Sequence, residues 1–426
     1  MGDNIYFILS VVIFIGVYAL IIWDKFDRAV IALSGAMLMV LLRVVNQEEA
    51  FASIDYNTIG LLVAMMIIVM IMRRTGVFEY LAIKMVKASK ADPVKLLILL
   101  CLTTGVLSAL LDNVTTILLI LPVTLNVTEE LKVNPIPYII GAIFASNVGG
   151  TATLIGDPPN IMIGSQVKLD FMDFLLNDAV IAIPILLVIS FLFAYIYRKQ
   201  LTASPEVKKK IMSMDENAAI KDRKLLNKCL VVFGLVVIGF LLHGVLHYES
   251  STIALTGAVV LLFVSGVNSE LVLLEVEWKT IFFFSGLFIL VGGIESTGVI
   301  DMLAEGVISL TGGDLFLTAI AILWVSAFAS AFIDNIPFVA TMIPLILEMG
   351  QLTDMNITPL WWALSLGACL GGNGTIIGAS ANVVAIGMAE RAGYKITFGS
   401  YFKIAFPVMV LTIIISMVYI YFAYLI

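Results

Sequence analysis

Charge is scarce in this chain of 426 residues. Asp, Glu, Lys and Arg make up 13%, against 61% hydrophobic residues. The mean hydropathy is +1.08. No soluble domain hides that much apolar surface in a core. Cysteine is also rare. Cys101, Cys229 and Cys369 form no CxxC pair, which argues against a disulfide framework and against a thiolate metal site. The two histidines, His243 and His247, stand four apart at a helix end and read better as interfacial residues than as a metal pair. No nucleophile–base pair, metal cluster or cofactor motif occurs, so the expectation is a transporter and not an enzyme, with no cofactor and no metal site. No GK[ST] follows any glycine-rich stretch, so a nucleotide phosphate loop is excluded.

What the chain has in abundance is long apolar sequence. Runs such as 5–23, 230–246 and 404–426 each cover a bilayer core of about 30 Å at about 1.5 Å per residue. The expected fold is therefore an all-α polytopic integral membrane protein whose first partner is the lipid bilayer. The first run has no basic residue before it and no small-residue cleavage site, and reads as a retained helix.

The chain repeats itself at an offset of 222 residues. Ser108-Ala109-Leu110-Leu111-Asp112-Asn113-Val114 returns as Ser330-Ala331-Phe332-Ile333-Asp334-Asn335-Ile336. Gly149-Gly150-Thr151-Ala152-Thr153-Leu154-Ile155-Gly156 returns as Gly371-Gly372-Asn373-Gly374-Thr375-Ile376-Ile377-Gly378, and Asn160 returns as Asn382. Polar, glycine-broken elements duplicated inside apolar sequence mark the binding site of a secondary transporter. The expected organisation is a first repeat over 1–197, a polar cytoplasmic linker over 198–228 and a second repeat over 229–426. In each repeat a re-entrant hairpin (96–126 and 315–350) precedes a broken helix (137–167 and 360–391). The two arms of 96–126 around Asp112-Asn113 are too short to cross twice, at about 22 Å each. Non-helical backbone at that depth needs cover from protein or a watery cavity.

Further helices are expected over 4–23, 29–45, 58–73 and 173–197, with amphipathic interfacial helices over 78–89 and 300–310. Five crossings per half make the halves inverted, and about ten transmembrane helices in all. Lys and Arg agree. With the amino terminus outside, 22 of 24 fall on the inside. Residues 73–95 carry six basic side chains and their equivalents 295–317 carry none.

Asp112 and Asp334 are the leading functional candidates. A carboxylate at mid-membrane costs roughly 2.5–3.5 kcal/mol or more, so it is seldom there without a task. Helix capping is the alternative reading, and both roles can coexist. Two carboxylates facing one cavity would titrate as a coupled pair, which allows the proton binding and release near neutral pH that a proton-coupled carrier needs. Asn113 and Asn335 follow directly, and an amide serves a cation through its oxygen or an oxyanion through its nitrogen. Thr115 and Thr116 add hydroxyls to the first tip only, since Pro337-Phe338 stand in the second. In the broken helices the candidates are Asn147, Gly149, Gly150, Thr151, Thr153, Asp157 and Asn160, then Asn373, Thr375, Ser380 and Asn382. Gly149, Gly150, Pro158 and Pro159 resist helix, so the break is expected to span them and to free carbonyls for a cation. The helix restarting near Pro158 would turn its N-terminus toward a ligand. The stretch 280–390 holds no Lys or Arg, which counts against a multivalent anion.

These same segments resemble the ArsB/NhaD permease family of the ion transporter superfamily, in its P protein (pink-eyed dilution) branch. They resemble the divalent anion/sodium symporters more distantly. The resemblance covers essentially the whole chain. It implies two opposed hairpin tips beside two broken helices, and an elevator-like motion. Asp112-Asn113-Val114-Thr115 and Asp334-Asn335-Ile336-Pro337 replace the Ser-Asn-Thr tips of the symporters, which favours proton coupling. The expected function is ion-coupled secondary transport of the arsenite/antimonite-permease type, with H+ (or Na+) as coupling ion and Asp112 and Asp334 carrying the protons. Sodium/proton antiport, sodium-coupled dicarboxylate or other anion transport, and an anion channel are the alternatives. A small inorganic ion or small molecule is the expected partner, with no nucleic acid. A homodimer is a compatible assembly, and an arsenite system would supply an ATPase. The expected location is the prokaryotic plasma (inner) membrane.

Overall fold

The computed structural model describes residues 2–206, 212 and 216–426, apart from Asp24. Lys208, Lys209, Lys210 and Asp215 of the polar linker lie outside the described residues. Every regular element described is a helix, and ten of them are long and apolar enough to cross a membrane. Side-chain caps set many of the starts. Asp27, Asp55, Asp92, Asp170, Asp222 and Asp314 each accept a backbone N–H of the first helical turn.

The halves interlock as the 222-residue offset requires. Helix Arg28–Leu41 packs along Trp278–Glu295, and the equivalent pair Ser250–Ser265 and Tyr56–Arg73 packs in the same way. The first hairpin has an outer arm Pro93–Leu110 and an inner arm Asn113–Leu131. The second has Leu315–Phe332 and Asn335–Leu352. The first broken helix is Ile136–Thr151 and Pro158–Val167. The second is Thr358–Gly371, a 3-10 turn Gly372–Gly374, and Ser380–Arg391. Each inner arm lies against the restarted helix of the opposite half: Asn113–Leu131 on Ser380–Arg391, and Asn335–Leu352 on Pro158–Val167.

Several expectations are corrected. The hairpin arms are longer than expected, at 18 and 19 residues in the first hairpin, or about 27 Å each. By length all four arms count among the ten candidate spans, whereas Arg28–Leu41, Ile136–Thr151 and Ser250–Ser265 are shorter apolar helices. The arms nevertheless do not place their tips at opposite surfaces. Asn335 of the second tip reaches Asp157 at 3.3 Å, and Asn113 of the first reaches Asn147 at 3.1 Å, so both tips end among the same residues in the middle of the molecule. The extra arm length extends outward instead.

The break also falls later than the double glycine. Helix persists through Gly149-Gly150 to Thr151, and a Cβ on Gly149 would strike the backbone of Gly105. The glycines permit two helices to touch, and residues 152–157 carry the bend. The second helix ends at Leu41 rather than 45, at a turn where Arg43 has φ 57°. A short helix Gln47–Ala52 follows, held by an Asn46–Glu49 capping box. The linker ends earlier than 228, since helix resumes at Arg223. Its Glu216–Ala219 turn docks on the helix Val77–Ala88, with Lys221 N donating to Thr75 O at 2.9 Å and Lys87 pairing with Glu216. The helix expected over 300–310 is Val299–Thr311.

Candidate functional site

Both tip aspartates cap the inner arms. Asp112 Oδ1 accepts from Thr115 N at 2.8 Å, and Asp334 Oδ1 accepts from Ile336 N at 3.2 Å. Beyond that they differ. Asp334 Oδ2 also accepts from Ser380 Oγ at 2.6 Å and from Arg28 Nη1 at 2.9 Å. The charge count along 280–390 missed this guanidinium because it comes from the other half. The place equivalent to Arg28 in the second half is Ser250, so Asp112 meets no counterpart of it. The two carboxylates are equivalent in sequence and unlike in charge environment.

The breaks are built around two asparagines. Asn160 Nδ2 donates to the carbonyls of Thr151 and Thr153, at 3.0 Å each. Asn382 Nδ2 donates to Gly372 O at 2.7 Å and Thr375 O at 2.9 Å. Carbonyls expected to be free for a cation are thus partly taken up inside the protein, as buried backbone groups generally are. Hydroxyls strap each break to its hairpin. Thr153 Oγ1 donates to Ala109 O at 2.5 Å and Ser108 Oγ to Ser146 O at 2.6 Å, and Thr375 and Ser330 repeat the pattern on Ala331 and Ala368. Thr151 Oγ1 bonds back to Asn147 O within its own helix.

A ladder of amides joins the halves. Asn113 Nδ2 donates to Asn147 Oδ1 at 3.1 Å, and Asn147 Nδ2 donates to both Asn373 Oδ1 and Asn382 Oδ1 at 3.0 Å. Asn373 Nδ2 and Thr116 Oγ1 are buried with no hydrogen-bond partner among the described residues. Such groups normally find one.

Asp157 is fully buried but caps nothing through its side chain. The two residues after it, Pro158 and Pro159, have no N–H to offer. Its carboxylate instead receives Asn335 Nδ2, 3.3 Å from each oxygen, and faces a cavity of about 350 Å³. Asp112, Asn113, Asn335 and Ser380 line the same cavity. Asn147, Thr151, Thr153, Asn160, Asn373, Thr375 and Asn382 stand behind this lining, as do Gly149, Gly150, Thr115 and Thr116. The second half has Ala379 where the first has Asp157, so this carboxylate has no twin.

Sequence reasoning missed Arg28, Asp27, Glu277 and Lys279, which line the mouth. Lys279 Nζ lies 2.7 Å from Asp27 Oδ2 and holds that carboxyl below its ordinary range. Burial, with Asp112 nearby, holds Glu277 above its own. The offset could have found Glu277, which is the equivalent of Asp55. On the opposite side Asp55 accepts from Thr58 Oγ1 at 2.7 Å, Ser165 Oγ at 2.9 Å and Gln166 Nε2 at 3.4 Å, clasping helix Tyr56–Arg73 to the end of the first broken helix. Glu277 has Thr280 at 3.2 Å, but Gly387 and Met388 stand where Ser165 and Gln166 would be. One side is clasped and the other is open to the cavity.

A family model described as citrate transporter matches residues 18–367. The chain is 44% identical over 425 residues to the 46 kDa membrane protein of Mycobacterium leprae, covering 98% of this chain and 99% of that one. It is 35% identical over 502 residues to the P protein of Sus scrofa, covering 98% of this chain and 59% of that protein. Among solved structures it resembles MtrF of Neisseria gonorrhoeae with a TM-score of 0.61 at 13% identity, covering 98% of this chain and 94% of that one. That structure is described as illuminating a class of antimetabolite efflux pumps. At this identity the likeness speaks for the fold.

Proposed function

This chain belongs to the citrate transporter family and is a membrane transporter, and we propose that it is a proton-coupled secondary transporter whose ion site is formed by Asp157 and Asp112. The observation that carries this reading is their position: two buried carboxylates face one cavity at the meeting point of the hairpin tips, and neither has a guanidinium like the one on Asp334. The expectation from sequence paired Asp112 with Asp334. The Arg28 contact favours moving the exchangeable proton to Asp112 and Asp157, because neutralising Asp334 would strand a partly buried guanidinium.

Charge balance bears on the substrate. Arg28 is paired with Asp334 and Lys279 with Asp27, which leaves Asp112, Asp157 and Glu277 in excess around the cavity. A trianion such as citrate would enter against that excess unless accompanied by cations. A neutral inorganic hydroxide such as arsenite, held by hydroxyls and amides, fits better, and so does a small cation held by carboxylate oxygens. Sodium/proton antiport is therefore the second reading. The mouth, with Asp27, Arg28 and Lys279, lies on the side that holds most basic residues, so the described state is read as open to the cytoplasm.

The test uses proteoliposomes under imposed proton and sodium gradients, with arsenite, sodium and citrate offered separately. Proton-driven arsenite flux that is lost in Asp157→Asn supports the first reading. Sodium-driven proton movement without arsenite flux supports antiport. Transport indifferent to both gradients, or currents far above carrier turnover, would remove the coupled-carrier reading.

A further inference from the structure

One buried carboxyl group stands outside the cavity. Asp178 lies two turns into the helix Phe171–Tyr197 and is fully enclosed. Its Oδ2 is 2.5 Å from Ser365 Oγ, while its Oδ1 has no hydrogen-bond partner among the described residues. Ser365 belongs to the first piece of the second broken helix, so the contact joins the two halves. Among the described residues no Lys or Arg is paired with Asp178. The titratable groups that face it are Cys369, Tyr419 and Tyr424, with Asp157 on the far side of Cys369.

The hydrogens can be counted. Ser365 Oγ is also 2.7 Å from Asn160 Oδ1. That oxygen only accepts, because the amide nitrogen of Asn160 is fixed by the Thr151 and Thr153 carbonyls. Cys369 Sγ approaches the same oxygen at 3.6 Å. A hydroxyl carries one hydrogen, and Ser365 makes two short oxygen–oxygen contacts. Its hydrogen satisfies Asn160, so the hydrogen between Ser365 and Asp178 comes from the carboxyl. An ionised Asp178 would leave two lone pairs facing at Oδ2 and a bare anionic Oδ1 in a dry core, which is among the most expensive arrangements a protein interior allows.

We infer that Asp178 is a second intramembrane proton-binding site, a neutral carboxylic acid that donates to Ser365 and is linked to the cavity through Ser365, Asn160 and Cys369. Its role in transport rests on the proton-coupled reading above; its protonation does not. The chain of contacts ends 3.0 Å from the carbonyls of the first break and beside Asp157. Any motion that separates the second broken helix from Phe171–Tyr197 removes Ser365 as the acceptor of the Asp178 proton and lets water reach the acid. The site therefore holds its proton in the described state and releases it in another.

Infrared difference spectroscopy of the full chain in lipid at neutral pH tests the protonation. A carboxylic C=O band present in the natural protein and missing in Asp178→Asn is expected, and the same band should shift in Ser365→Ala, which keeps the acid and removes its acceptor. Identical spectra in all three would mean an ionised Asp178 and overturn the inference. The transport arm uses the proteoliposome assay. Asp178→Asn should displace the pH profile of transport by about one unit or more, as coupled sites do. A band that disappears in Asp178→Asn together with an unmoved pH profile would make the acid purely structural and overturn its role as a site. Absence of any coupled flux in the natural protein would defeat the proposed function while leaving the spectroscopic result intact.

Discussion

Arg28 of the first half donates from Nη1 to Oδ2 of Asp334 at the second hairpin tip, 2.9 Å away and 306 residues along the chain. The Asp334 side chain is 2% exposed and that of Arg28 is 22% exposed. The pair ties the second hairpin tip to the helix Arg28–Leu41, which begins at the cavity mouth. Removing one member of a buried pair strands the other. Arg28→Gln is expected to destabilise the protein by about 3 kcal/mol, at the low end for buried pairs because the arginine is partly solvated. Asp334→Asn in the same chain should recover most of that loss. Thermal unfolding of the single and double variants in detergent checks this, and equal losses for R28Q and R28Q/D334N would show that the pair is not the cause.

Gly149 is where two helices touch. A Cβ there would meet the backbone of Gly105, and one on Gly371 would meet that of Ala327. Backbone cannot swing aside as a side-chain end can. Gly149→Ala and Gly371→Ala should therefore lower the yield of folded protein sharply. Gly387 is a helical glycine with open space around it. Gly387→Ala should be neutral or stabilising by up to about 1 kcal/mol. Size-exclusion profiles and unfolding temperatures compare the three, and a Gly149→Ala protein as stable as Gly387→Ala would refute the close-contact account.

The contrast between Gly149 and Arg28 shows what sequence makes legible. The repeat, the tips and the broken helices were readable because each leaves a polar or glycine-rich mark in apolar sequence, and the 222-residue offset says which marks pair. Local marks do not say whom they touch. Gly149 and Gly150 read as marks of a break, yet they lie in helix and are glycine because a neighbouring backbone needs the room. Arg28 was counted only as an inside charge, since nothing along 20–35 points to a carboxylate three hundred residues away. Sequence alone gives Asp157 no rank above its neighbours, and only the three-dimensional arrangement separates it from Asp334. Inverted repeats make such pairings between halves the rule, so a scan of one half will always miss the partner supplied by the other.

Asn147 is the centre of the amide ladder. It accepts from Asn113, which lines the cavity, and donates to Asn373 and Asn382 behind that lining. Asn147→Asp keeps the shape and the acceptor but removes both donated hydrogens and buries a charge or a displaced proton. Each hydrogen bond so lost costs about 1 kcal/mol, and a stranded buried acceptor about 1–3 kcal/mol. A loss of about 2–4 kcal/mol is expected, larger than for Thr151→Val, whose hydroxyl bonds back to Asn147 O within its own helix. Chemical or thermal unfolding ranks the two, and a milder effect for Asn147→Asp would mean that the ladder does not hold the halves together.

Glu277 offers a pH test at the mouth of the cavity. Burial, aided by the charge of Asp112, raises its carboxyl above the ordinary range. A raised carboxyl favours the protonated form in the folded state more than in the unfolded chain. Its contribution is therefore complete below the unfolded value and is lost as pH rises through the folded one. Glu277→Gln, which mimics the neutral form, should match the natural protein at acid pH and exceed it in unfolding temperature as pH climbs above the ordinary glutamate range. Asp27 provides the opposite sign. Lys279 lowers its carboxyl, so the stability that Asp27 adds is present above the unfolded value and fades only as pH falls through the lower folded one. The effect of Asp27→Asn should therefore shrink toward acid pH, and stay small throughout because the Lys279 side chain is 85% exposed. Unfolding curves for the natural protein and both variants across the acid-to-neutral range decide the matter. A Glu277→Gln advantage that grows toward acid pH would reverse the sign and place Glu277 in contact with a cation instead of beside the acidic Asp112.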